Sequence, residues 1–145
     1  VDNDRKNEKE YEDEQKAIDD IEKELSVDIP RFLYRPEGLK FKDYNISKDF
    51  EYALLQYDYN DTIMTLYINK YDKETKSTGA SLDGKEIETI KLPEGEASIQ
   101  VKRIMAKGDK KASYVAYWNN STEFYQIESQ MEEKEFIKLI KNIKF

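Results

Sequence analysis

The sequence has no histidine and no cysteine among its 145 residues. Cysteine nucleophiles, histidine general bases and Cys/His zinc sites are therefore excluded. No apolar run approaches the roughly 18 residues that a membrane helix needs, so no transmembrane helix lies within the chain. Prolines number three and glycines five, and they are read as punctuation between elements. Two settings fit the missing cysteines: an extracytoplasmic protein of a bacterium that avoids thiols, or chance in a short cytosolic chain. The chain begins at Val1 without Met, as a mature product does. No signal peptide is visible, but one could have been removed, so its absence does not assign the chain to the cytosol.

Apolar and charged residues each make up 38% of the chain, which is polar for a globular protein. Aromatics reach 12%, with eleven tyrosines, a payload that disordered chains lack. The length is that of one domain able to hold a core without metal or disulfide.

The net charge of −7 is unevenly spread: Val1 to Asp28 holds 12 acidic and 5 basic residues, and Ile29 to Phe145 holds 19 of each. A neutral body behind an acidic leader argues against nucleic acid, whose phosphates need clustered Lys and Arg. It argues equally against an anionic membrane surface. The plain reading of the acidic run is a solvated helix face or tether; the alternative is a dock for a basic partner or loose cation binding.

Residues 1–10 show no apolar period and are expected to fray. Residues 8–25 read as a helix with a narrow stripe of Tyr11, Ala17, Ile18, Ile21 and Leu25, lying on a body rather than inside one. Glu12–Lys16 and Asp19–Lys23 are spaced for favourable pairs along it. Pro30 ends that segment and Pro36-Glu37-Gly38 makes a turn. The period then becomes two. Strands are expected over 39–46, 51–59, 62–70, 86–92, 96–106, 111–118 and 122–129. Asn60-Asp61, Pro93-Glu94-Gly95, Gly108-Asp109 and Asn119-Asn120-Ser121 supply turns, and 71–85 reads as a mobile loop. Strand 96–106 places Ala97, Ile99, Val101 and Met105 inward. Ser129 and Glu132 have capping-box spacing, opening a helix to about Asn142 whose apolar face is Phe136, Leu139, Ile140 and Ile143. The expected fold is α+β: a mainly antiparallel, twisted sheet of about seven strands, with an acidic N-terminal helix and a C-terminal helix packed on it. The expected organisation is a leader or tether over 1–28 and one α+β domain over 29–145.

Several stretches together form a familiar pattern: IPRFLYRPEGLKF, YALLQYDYNDTIMTLYI, LPEGEASIQV, YVAYWNNSTEFYQIES and EKEFIKLIKNI. Pro30, Pro36, Glu37 and Gly38 carry it at one end; Trp118, Tyr125 and Ile127, spaced W-x6-Y-x-I, carry it at the other. Over about Ile29 to Phe145 the chain resembles the bacterial extracytoplasmic family called domain of unknown function 4367. The resemblance implies a domain outside the cytoplasmic membrane, tethered by an upstream helix or lipid anchor and in some members attached to anti-sigma or other regulatory proteins. It supplies no catalytic residues.

Carboxylate pairs such as Asp19/Asp20, Glu132/Glu133 and Asp58/Asp61 arise by chance among 31 acids, although a glycosidase needs one such pair in a cleft. Asp58-x-Asn60-Asp61 lacks the glycine and terminal glutamate of a calcium loop and reads as a hairpin turn. Ser47, Ser81 and Ser113 lie near lysines without a nucleophile-elbow or S-x-x-K context. The sequons at Asn45, Asn60, Asn119 and Asn120 read as polar turns.

The tyrosine surplus is more informative. Either Tyr57 and Tyr59, or Tyr52, must face away from the core, and strand 111–118 is apolar on both faces. A covered central strand explains this plainly; an aromatic platform or groove for a glycan, peptide or acyl chain is the sharper reading. The candidate surface is Tyr57, Tyr59, Tyr67, Tyr114, Tyr117 and Trp118, with no catalytic residue, metal or cofactor. The expected function is a non-enzymatic extracytoplasmic sensing or binding module for an envelope ligand or protein partner, the outer part of a membrane- or lipid-anchored protein. The alternatives are a carrier or chaperone of an acyl chain and an Asp/Glu-dependent hydrolase.

Overall fold

The computed structural model describes residues 2–70, 84–91, 98–105, 107–120 and 122–145, with side chains outside 2–8 and 10. The expected 71–85 loop, apart from its last two residues, the Pro93-Glu94-Gly95 turn, Ser81, Ala97 and Ser121 lie outside the described residues. The elements are α1 (Asp2–Leu25), β1 (Arg31–Phe32), β2 (Leu39–Ser47), β3 (Tyr52–Tyr59), β4 (Thr62–Lys70), β5 (Lys85–Lys91), β6 (Ser98–Ile104), β7 (Ser113–Asn119), β8 (Glu123–Ser129), α2 (Glu133–Lys141) and β9 (Ile143–Lys144). No helix among the described residues is long and apolar enough to cross a membrane.

The fold is α+β, as the sequence predicts. Seven strands form one sheet in the order β2-β3-β4-β8-β7-β6-β5, and every pairing is antiparallel. Tight links account for this. Asn60 takes a positive φ of 51° in the two-residue β3–β4 turn, a conformation asparagine tolerates. Gly38, at φ 91°, follows Pro36, whose carbonyl accepts from Leu39 N at 3.1 Å.

Two bulges reset the side-chain alternation. In β2 the apolar positions step from Leu39 and Phe41 to Tyr44 and Ile46, and the register with β3 shifts between Phe41 and Asp43. The extra residue restores the apolar side chains to one face. A second shift lies between Glu86 and Glu88 in β5.

Both helices and the β1–β9 ribbon cover the same face of the sheet. Tyr57 meets both Phe32 and Phe41 there, Tyr114 meets Phe136 of α2, and Trp118 stacks on Tyr125 at 5.0 Å. Ala17, Ile18, Ile21 and Leu25 of α1 join this core together with Leu55, Met64, Leu66, Ile127, Phe136 and Leu139. Residues on both sides of the 28/29 boundary therefore bury into one cluster.

Several local expectations are corrected. Helix α1 begins at Asp2, ahead of the expected start at residue 8. Tyr11 is 64% exposed, because burial along α1 begins a turn later, at Glu14. Asp19 accepts from Gln15 Nε2 at 3.1 Å, and the acids of α1 pair across to Arg31, Arg35 and Lys48 more than along the helix. Met105 is 49% exposed, just past the end of β6. The capping box does not form. Ser129 is still paired in β8 with Tyr114, and α2 starts after Glu132, which makes no side-chain cap. The strands β1 and β9 were not expected; two residues are too few to show a period.

Candidate functional site

Alternation sorts the strands into a covered face and an open one. On β3, Ala53, Leu55, Tyr57 and Tyr59 are buried against the helices, so Tyr52, Leu54, Gln56 and Asp58 take the open face. On β4, Met64, Leu66 and Ile68 go inward, and Thr65, Tyr67 and Asn69 go outward. On β7, Tyr114, Ala116 and Trp118 go inward, and Val115 and Tyr117 outward.

The register then aligns one uncharged row across all seven strands of the open face: Asn45, Leu54, Tyr67, Gln126, Tyr117, Gln100 and Thr89. The neighbouring row is charged at Asp43, Glu128, Lys102 and Glu86. The uncharged row is braced from both sides. The Tyr67 ring lies 5.8 Å from Tyr52 and 6.4 Å from Phe124. Lys102 Nζ sits 5.5 Å from the centre of the Tyr117 ring, and Thr89 Oγ1 donates to Gln100 Oε1 at 3.0 Å. Val115 and Phe124 are buried on this face yet stand outside the main core cluster. Burial raises the Tyr67 phenol above its ordinary pKa, so it is a neutral donor and acceptor at physiological pH.

Of the six residues singled out from the sequence, the structure brings only Tyr67 and Tyr117 to the open face. Tyr57, Tyr59, Tyr114 and Trp118 are buried under the helices, where they are packing residues and no ligand surface. The reason is the parity of β3 and β7: Gln56 and Asp58 mark the wet face of β3, which makes Tyr52 its open-face tyrosine, half-buried. Tyr52 was the stated alternative to Tyr57 and Tyr59 and is the one the structure places on the open face; Leu54, Gln100 and Gln126 were missed. The Gln56/Asp58 alternation was a signal for Tyr52 and Leu54; the glutamines offer none until the strands are aligned.

Four tyrosines, two buried and two half-buried, share a task. Tyr57 donates to Glu14 at 2.6 Å, Tyr44 to Asp20 at 2.6 Å and Tyr59 to Glu132 at 2.7 Å, while Tyr34 donates to Glu135. Two of these acceptors lie on α1 and the others on or beside α2, so phenols of the body hold both helices through carboxylates. Burial, then the Glu14 charge, pushes Tyr57 well up. The bond to Glu132 is the largest cause that pushes Tyr59 up to about 12, and the same bond holds Glu132 below the usual carboxylate range. Asp58 pairs with Lys42 at 3.9 Å. The pairs read as candidate acids, Asp19/Asp20, Glu132/Glu133 and Asp58/Asp61, thus contain members engaged in holding the fold. Among the described residues no three His, Cys, Asp or Glu gather as a metal site.

A separate groove of about 450 Å³ lies between β5 and α2, with Ile87 and Ile137 in its lining and Lys134, Lys138, Lys141, Glu88 and Glu133 around them. Lys141 pairs with Glu88 at 3.1 Å, and Lys138 lies over the Tyr34 ring.

No curated protein matches the chain. Among solved structures, the crystal structure of MucB in complex with MucA(peri) is similar, at 12% identity and a TM-score of 0.36, over 81% of this chain and 37% of that one. The present chain therefore spans well under half of that neighbour's length. The profile of the domain-of-unknown-function family DUF4367 matches residues 29–143, the stretch whose motifs already resembled it. The chain belongs to the DUF4367 family.

Proposed function

We propose that the chain is a non-enzymatic extracytoplasmic binding module, the outer part of a membrane- or lipid-anchored protein, and that it binds through the open face of its sheet. The observation that carries this reading is the uncharged row centred on Tyr67, Gln126 and Tyr117. In a chain with 38% charged residues, seven uncharged positions in register form a surface of its own chemical kind. Half-buried aromatic rings braced by their neighbours bind with little further loss of rotamer freedom.

The other readings have less support. A carrier of an acyl chain needs an enclosed apolar cavity, whereas the groove beside α2 is open and rimmed by lysines and glutamates. A hydrolase needs two carboxylates free to act, whereas Glu14, Asp20 and Glu132 each accept a tyrosine hydroxyl.

The test is retention of the purified protein on a bacterial cell-envelope fraction. The parent chain is expected to be retained and the double variant Tyr67→Ala/Tyr117→Ala to be lost at unchanged fold. Equal retention of the two, or none by the parent, overturns the reading.

A further inference from the structure

We propose that the open face binds an extended, neutral, β-1,4-linked glycan laid across the strands along the Tyr67–Gln126–Tyr117–Gln100 row. This rests on the binding-module reading above and names its ligand class.

Three observations carry it. The first is spacing. Tyr67 and Tyr117 are each paired with Gln126, one on either side, so their backbones stand two strand separations, about 10 Å, apart. An extended β-1,4-linked polysaccharide repeats its disaccharide over a similar length. Two sugar rings of the same orientation, one disaccharide apart, then meet Tyr67 and Tyr117.

The second is chemistry. A pyranose has an apolar C–H face and an equatorial rim of hydroxyls. Aromatic rings suit the face, and amides, which donate and accept at once, suit the rim. The row alternates ring and amide: Tyr67, Gln126, Tyr117, Gln100. Thr89 holds the Gln100 carbonyl, which leaves the amide N–H groups of Gln100 for a ligand.

The third is charge. The row itself carries none, and the one cation of the charged row beside it, Lys102, lies over the Tyr117 ring, so a neutral polyol that meets the row along its length buries little charge. A polyanion would meet three acids, Asp43, Glu128 and Glu86, against the single Lys102 in the adjacent row.

The probe is chitohexaose, the neutral β-1,4 hexamer of N-acetylglucosamine, titrated into the full chain by calorimetry. Binding is expected. Chitobiose, which spans a single tyrosine, is expected to bind at least about tenfold more weakly, a difference of about 1.4 kcal/mol. Maltohexaose, whose α-links coil the chain, is expected not to bind. Tyr67→Ala and Tyr117→Ala should each weaken chitohexaose binding, and Tyr67→Trp and Tyr117→Trp, which keep a stacking ring, should retain it. The tryptophan variants separate loss of stacking from loss of fold.

Absence of chitohexaose binding, or binding that ignores both alanine variants, overturns the glycan assignment. If the envelope fraction still retains the protein through Tyr67 and Tyr117 while chitohexaose neither binds nor competes, the glycan assignment falls and the binding module stands. If neither retention nor titration responds to these tyrosines, both fall.

Discussion

The Tyr57 hydroxyl donates to the Glu14 carboxylate at 2.6 Å, inside the layer between α1 and the sheet. Glu14 is 3% exposed, and Arg35 reaches the same carboxylate at 2.7 Å. A buried acid on the most acidic element of the chain thus joins that element to the core. Glu14→Ala removes the acceptor of the buried Tyr57 phenol and one partner of Arg35. The expected loss is about 2–4 kcal/mol, against about 1–2 kcal/mol for Tyr57→Phe, which leaves the arginine pair in place. Urea unfolding with unchanged m reads both values.

Alkaline pH should release the helices. Tyr59 moves from 10.0 to about 12, and Tyr34, Tyr44 and Tyr57 move upward as well. A raised phenol pKa means that the folded state holds the proton more tightly than the unfolded chain. Its contribution is therefore complete below pH 10 and is lost as pH rises towards 12. Tm should fall through this window, and Tyr59→Phe should lessen the slope by up to about one proton. At the acid end the sign reverses. Glu132 is held low, chiefly by the Tyr59 hydroxyl, so its contribution is present above the ordinary carboxylate pKa and disappears as pH falls through the lowered value; Tyr59→Phe lessens this dependence too.

The α1 stripe is tested by a pair of variants. Ile21 is fully buried and Tyr11 is largely exposed. Ile21→Ala should cost about 2–4 kcal/mol through lost burial and the cavity left behind. Tyr11→Ala should change stability by less than about 0.5 kcal/mol. Equal effects in thermal or urea melts would contradict the docking of α1.

The two faces of β7 should respond differently. Trp118 stacks on Tyr125 and meets Phe145 edge-on, so Trp118→Ala should cost about 3–5 kcal/mol. Tyr117→Ser, on the open face, should cost about 1 kcal/mol or less. A stability screen of both variants checks the assignment of faces.

Gly38 is confined twice over. Its φ is 91°, and a Cβ there would lie 2.7 Å from Asn60 Oδ1. Gly38→Ala should cost about 1–3 kcal/mol and disturb the neighbouring β3–β4 turn, visible as shifted amide resonances around Asn60.

Much of the architecture is local and was therefore legible in the residues. Period-two runs bounded by Asn60-Asp61 and Gly108-Asp109 specify strands and hairpins, because alternation and turn chemistry act over a few neighbours. The spacing of Phe136, Leu139 and Ile140 specifies an amphipathic helix in the same way. The absence of His and Cys excluded whole chemistries before any fold was known.

What only the tertiary structure decided is which side of each strand the helices cover. On β7, Tyr114 and Trp118 share one face and Val115 and Tyr117 the other, and both faces are apolar; the elements packed from elsewhere in the chain turn the first pair into core. The partners of the acidic residues were hidden for the same reason, since Glu14 and Tyr57 lie 43 positions apart. The Tyr67–Gln126–Tyr117 row is assembled from three strands and exists only in their register. Local residue order sets the strands, the turns and the amphipathic faces, because those depend on near neighbours. The surface that remains after burial depends on contacts between distant segments, which no local pattern contains.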